Sequence, residues 1–186
     1  MKLAPALDLG LLNGWTLLVL FYAVFGIMLL ISPRAVVARL YDRAEWTRRE
    51  RILSAAGKLF IFAWLLLAVF TPLRLGHSVF ILGLVIYLLG LVGMVVALLN
   101  FRAAPLDQPV SQGIYRISRN PQQVTILLAF IGISIAIGSW TALILILIGG
   151  LWAHLRVVAE ERSCLAQYGE SYRQYMKQVP RYFLFF

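Results

Sequence analysis

The chain has 186 residues, of which 61% are hydrophobic and 13% charged, with a formal net charge of +9. Soluble domains are about 45–50% apolar and about 25% charged, so this balance, with a mean hydropathy of +0.84, excludes an ordinary soluble domain and points to the bilayer. The one cysteine, Cys164, excludes an intramolecular disulfide framework and a cysteine-based metal cluster, and reads as a small apolar filler on a helix.

Taken in chain order, residues 11–31, LLNGWTLLVLFYAVFGIMLLI, carry no charge. A transmembrane helix needs about 20 apolar residues, so this stretch predicts a first span rather than a cleavable leader. In the basic segment 32–56 that follows, Val36, Val37, Leu40 and Tyr41 share one helical face, which predicts an amphipathic interfacial helix and a linker. Residues 57–71 predict a second span, ended at Thr71 and Pro72, and residues 78–99 a third. Gly83, Gly90, Gly93 and Ala97 make a small-residue stripe along the third span. It reads as close helix packing, with a bare backbone surface for a flat ligand as the alternative.

Residues 124–153 are 30 without a charge, too many for one straight span. Two spans, 121–137 and 140–158, joined by a tight turn at Gly138 and Ser139, fit better. Over 159–179, Leu165, Tyr168, Tyr172, Tyr175 and Val179 recur at 3- and 4-residue spacing, predicting an amphipathic cytosolic helix. The expected fold is therefore a single all-α integral membrane domain of about five transmembrane helices.

Charge then orients it. Arg34, Arg39, Arg43, Arg48, Arg49, Arg51 and Lys58 lie between spans one and two, and Arg102, Arg116 and Arg119 between three and four. Arg156, Arg162, Arg173, Lys177 and Arg181 follow span five, which leaves Lys2 and Arg74 for the other side. The positive-inside rule then puts the N-terminus outside and the C-terminus in the cytoplasm. The net charge is a membrane-surface charge rather than a nucleic-acid footprint.

No Rossmann glycine pattern, P-loop, HExxH or Ser/His/Asp spacing is present, and His77 and His154 read as interfacial or packing histidines. Two polar clusters need an account. In GIYRISRNPQQV (113–124), Asn120 suits a helix cap and Pro121 a first helical position. That leaves Tyr115, Arg116, Arg119, Gln122 and Gln123 unexplained. In LRVVAEERSCLAQYGESYRQY (155–175), Arg156 and Glu160 share a helix face and Glu161 is rotated by about 100°. An exposed i,i+4 ion pair accounts for the first two, yet ionisable groups at the end of an apolar span are functional candidates. A hairpin brings the two clusters together. Arginines or helix amides there suit a carboxylate and a glutamate suits an ammonium, so the pair suits a zwitterion such as an amino acid.

The order GIYRISRNPQ, apolar hairpin, R-x-x-x-E-E, QYGESYRQY and VPR resembles integral-membrane isoprenylcysteine carboxyl methyltransferases and the related phospholipid N-methyltransferases, over residues 108–182. The resemblance implies S-adenosylmethionine bound at the cytosolic face without a Rossmann domain, and methyl transfer to a lipid, isoprenoid or other amphiphilic acceptor. By motif it makes Tyr115, Arg119, Asn120, Pro121, Gln122 and Tyr172 candidate cofactor contacts and Glu161 the candidate partner of the cofactor ammonium. Arg156 and Glu160 become candidates for orienting the acceptor or taking its proton. The chain reads Arg-Asn-Pro-Gln-Gln where the family usually reads Arg-His-Pro-x-Tyr, so position 120 cannot titrate near neutral pH. The competing readings are a non-catalytic membrane protein of the same fold and a membrane reductase similar to sterol reductases.

Overall fold

The computed structural model describes residues 1–3 and 5–183. These form seven α-helices: α1 (Trp15–Leu30), α2 (Arg34–Leu40), α3 (Arg48–Phe70), α4 (Ser78–Ala103), α5 (Pro121–Ala136), α6 (Trp140–Tyr168) and α7 (Glu170–Gln178), with a 3₁₀ turn at Gly113–Arg116. Among the described residues there is no strand, only two isolated bridges, Lys2 to Ser139 and Asn13 to Pro72.

Three helices, α3, α4 and α6, are long and apolar enough to cross a membrane. The other two apolar helices, α1 and α5, have 16 residues each, or about 24 Å at 1.5 Å per residue. That is short of a hydrocarbon layer of about 30 Å. The helical part of the segment expected to span over 11–31 is shorter because Asn13 is pinned by its own hydrogen bonds. Its Nδ2 donates to the carbonyls of Asp8 and Val69 at 2.6 and 3.1 Å.

Two further boundaries differ from the sequence expectation. The basic residues after 47 are not linker. The α3 helix starts at Arg48, where Thr47 and Glu50 form a reciprocal capping box, so polar capping rather than hydropathy sets its first turn. Nor is 159–179 one separate helix. Residues up to Tyr168 continue α6, and the break comes at Gly169, whose φ of +56° ends one helix and turns the chain into α7. The expected apolar stripe nonetheless stays together across that break: Tyr172, Tyr175 and Val179 pack with Leu165 and Tyr168.

The bundle is tightest between α4 and α5. A Cβ on Gly83 would lie 2.7 Å from the Gly132 carbonyl, and one on Gly90 2.7 Å from the Thr125 carbonyl, so backbones meet there directly. Helices in lipid associate through such close packing because no hydrophobic force separates them from the solvent. The small-residue stripe is thus a helix seam, and the flat-ligand alternative falls because α5 occupies the surface. Buried polar ties cross the core as well. Trp64 Nε1 donates to Ser134 Oγ at 2.8 Å and Tyr87 Oη to the Leu17 carbonyl at 2.8 Å. In a dry interior each such donor needs its acceptor.

The two ends of the bundle are built differently. At one, backbone hydrogen bonds join residues 2, 8 and 12–14 to 70–73 and to the α5–α6 turn. That turn holds only Ile137, Gly138 and Ser139; Gly138 has a φ of +66°, and Ser139 caps α6 through the Ala142 amide at 3.1 Å. The other end carries α2, the loops, the start of α5 and the end of α6. Arg162 ties it together by donating to Glu50 Oε2 at 2.7 Å and to the Glu45 carbonyl at 2.9 Å.

Candidate functional site

The loop before α5 is placed from both sides. Gly113 sits at a φ of +61° against the Asn100 side chain, whose Oδ1 accepts from the Ile114 amide at 2.9 Å. This aims the 3₁₀ turn so that Tyr115 is buried. From the far side, Tyr175 Oη donates to the Tyr115 carbonyl at 2.6 Å. The tail after α7 then runs alongside residues 118–120. The Arg119 amide donates to the Pro180 carbonyl at 2.9 Å, and Ser118 Oγ to the Arg181 carbonyl at 3.1 Å.

Glu161 lies at the centre of this arrangement, 4% exposed. Its Oε1 accepts from Arg119 Nε at 3.0 Å and from Asn120 Nδ2 at 3.0 Å, and its Oε2 from Arg181 Nε at 2.9 Å. A carboxylate offers about four acceptor positions, so one on Oε2 is left. Arg119 also donates from Nη1 to the Met176 carbonyl at 2.8 Å. Two guanidiniums and an amide thus compensate a buried carboxylate that would be very costly to enclose without partners.

Asn120 does not cap α5 as its position suggested. Its amide is drawn to Glu161, and no side chain caps the helix. Pro121 has no N–H to lose, and the backbone amides of Gln122 and Gln123 find no acceptor among the described residues. The Gln122 side chain lies beside the Tyr115 phenol, and its Nε2 is buried without a well-formed hydrogen bond. The start of α5 therefore presents several unused donors at the positive end of a helix.

These groups border one cavity of about 670 Å³, within the usual range for a small-molecule site. All nine residues singled out from the sequence line it: Tyr115, Arg119, Asn120, Pro121, Gln122, Arg156, Glu160, Glu161 and Tyr172. Arg156 Nε donates to Glu160 Oε1 at 2.7 Å, with both side chains more than a third exposed, so water screens that pair. Burial holds the phenols of Tyr115, Tyr172 and Tyr175 above the usual tyrosine range, and they act as neutral walls and donors. His154 is engaged elsewhere, its Nδ1 2.9 Å from Tyr182 Oη, and His77 is exposed ahead of α4.

Two residues of the site were not singled out from the sequence. Arg181 closes the ion cluster on Glu161, and the only sequence signal for it is the tripeptide Val179-Pro180-Arg181. Arg39, from α2, lines the cavity and closes it over. It donates to the carbonyls of Pro105 and Gln108 at 2.9 and 2.6 Å, and its guanidinium lies 5.2 Å from the Phe101 ring and 5.5 Å from the Tyr168 ring. An arginine in a basic interfacial helix carries no local sign of such a partner.

Residues 100–171 match the model of the phospholipid methyltransferase family, the membrane methyltransferase class that the sequence pattern resembles. The matched segment runs from the end of α4 to the start of α7 and supplies most of the cavity wall. The match indicates a membrane methyltransferase. No curated protein matches the chain.

Proposed function

We propose that the protein transfers a methyl group from S-adenosylmethionine to a membrane-soluble lipid or other amphiphilic acceptor at the cytoplasmic face of a five-span bundle. The observation that carries this reading is the gathering of all nine motif residues around one cavity in the segment that matches the methyltransferase family. The residues also fit the cofactor's amino-acid end. The free amides of Gln122 and Gln123 and the unused Gln122 Nε2 suit a carboxylate at a helix start. The remaining acceptor position on Glu161, with Glu160 nearby on the same helix, suits an ammonium.

When bound, S-adenosylmethionine supplies an electrophilic methyl group on a sulfonium. What falls to the protein is alignment of an in-line attack and exclusion of water. Arg119, Asn120 and Arg181 hold Glu161 in place, so Arg119 and Asn120 act as positioning residues for the ammonium end. Tyr115 and Tyr172 wall the cavity. Arg156 orients an acceptor that is a carboxylate, which needs no base at neutral pH. For an amine or thiol acceptor, Glu160 takes the proton released as the new bond to carbon forms. Asn120 has no acid–base part in this scheme.

The test is incubation of the purified protein with methyl-labelled S-adenosylmethionine and host membrane extract, followed by separation of labelled lipid from labelled protein. Label in the lipid fraction, lost in Glu160→Gln for an amine acceptor or Arg156→Gln for a carboxylate acceptor, is the expected result. Cofactor binding with no label in any fraction would overturn catalysis and favour a non-catalytic membrane protein.

A further inference from the structure

A second cavity, of about 480 Å³, opens at the same basic end of the bundle, and the loop residue Ala44 borders both cavities. Its wall consists of Arg43, Trp46, Arg51, Ser54 and Lys58 with two alanines. Arg51, Ser54, Ala55 and Lys58 follow i, i+3, i+4, i+7 along α3 and so share one helix face. No carboxylate borders the cavity, and Arg43, Arg51 and Lys58 make no salt bridge among the described residues. Of the acids next to these residues in sequence, Asp42 accepts from the Ala44 amide at 2.9 Å, Glu50 is taken by Thr47 and Arg162, and Glu45 does not border the cavity. Trp46 is 4% exposed, and its Nε1 is buried with no acceptor among the described residues. An unpaired buried donor is unusual enough to need an explanation.

We infer that this cavity is a phosphate-binding site, and that its occupant is the headgroup phosphate of an anionic phospholipid. Three cations without a salt bridge, a hydroxyl and an indole N–H line it, and the one acceptor they meet is the Arg43 carbonyl, 3.4 Å from Arg51 Nη2. A phosphate, with several oxygens and at least one negative charge, uses such a set fully, with arginine forks and a lysine point charge in their usual roles. Trp46 meets the Arg43 guanidinium 5.1 Å from its ring centroid. An anion drawn to Arg43 therefore arrives next to the indole that lacks an acceptor. The lipid source follows from what α3 does beyond the site. Lys58 lies about 10 Å along the helix axis from Arg51, and Leu59 and Phe62 beyond it are 70% and 59% exposed. The face therefore passes from cations to uncovered apolar side chains, as a phospholipid passes from headgroup to acyl chain.

The site is independent of methyl transfer and is tested without cofactor. The full chain in detergent is titrated with dioleoylphosphatidylglycerol, dioleoylphosphatidylcholine or inorganic phosphate, and bound molecules are counted by native mass spectrometry. One phosphatidylglycerol should be retained in preference to phosphatidylcholine. Arg51→Gln with Lys58→Gln should lower its affinity about tenfold or more. Trp46→Phe, which leaves the charge unchanged, should lower it several-fold. Arg34→Gln with Arg173→Gln, the same change in charge elsewhere at the basic end, should leave it in place. Thermal melting of each variant separates lost binding from lost folding. Binding of inorganic phosphate alone with the same residue dependence would support the phosphate site and assign it a soluble occupant. Equal losses in the two double variants, with none in Trp46→Phe, would overturn the proposal in favour of diffuse surface charge.

Discussion

Glu161 joins three separate parts of the chain: the loop before α5, the end of α6 and the tail after α7. Among the described residues its neighbour Glu160 pairs only with Arg156 one turn back, at the surface. Adjacent identical residues thus have opposite energetics. Glu161→Gln leaves two guanidiniums without their counter-charge, one of them fully enclosed. Breaking a buried pair in this way costs about 3 kcal/mol or more, whereas the exposed Arg156–Glu160 pair is screened. The expected outcome is a clear drop in melting temperature and loss of S-adenosylmethionine binding by calorimetry in detergent for Glu161→Gln. Glu160→Gln should melt like the parent. Identical melting curves would remove Glu161 from its central position. The sequence placed both acids near the arginines of the opposite cluster. It could not tell that Arg181, 20 residues on, would take the second carboxylate oxygen, because tail docking depends on the α6–α7 corner.

Among the elements, α4 and α5 make the seam on which the site is mounted, since the loop between them carries Tyr115, Arg119 and Asn120. Glycine there is required by distance, not by φ. Gly90→Ala would drive a methyl group onto α5 backbone at Ala129 and Thr125, where no flexible side chain can yield. Overpacking of this kind costs typically 1–3 kcal/mol, and separating α4 from α5 would also shift the loop. Gly26→Ala, on α1, meets nothing within 4 Å and should leave stability unchanged or slightly raised, because alanine is the better helix former. Thermal unfolding of the two variants in the same detergent checks the contrast, and equal behaviour would contradict the seam. The stripe itself was legible from its helical spacing. Which helix covers it was not, because small residues specify close approach without naming a partner.

For the whole molecule, we propose a topology of five crossings with the N-terminus outside, in which α1 and α5 cross despite their length. Two polar ends support it: one with Lys2 and Arg74, the other with most of the basic residues. The reading predicts opposite sides for position 75, between α3 and α4, and position 173, on α7. In a Cys164→Ala background, Leu75→Cys should react with a membrane-impermeant maleimide added outside sealed cells. Arg173→Cys should react only after permeabilisation. Labelling of both from one side would rule the topology out.

The sequence by itself determined the membrane class, the helical composition, the α5–α6 turn at Gly138, and which residues deserved attention. Each of these rests on local facts: runs of apolar residues, helical spacing, turn glycines and ionisable groups too costly to bury without a use. Only the tertiary structure decided how those groups are spent. Asn120 donates its side-chain amide to Glu161 rather than accepting from the first turn of its own helix, and the α5 amides are left without a cap. The break at Gly169 folded α7 back, and with it came Arg181 to complete the charge cluster. Partners brought together by such long-range docking leave no periodic trace in the chain, so they become visible only once the fold has formed.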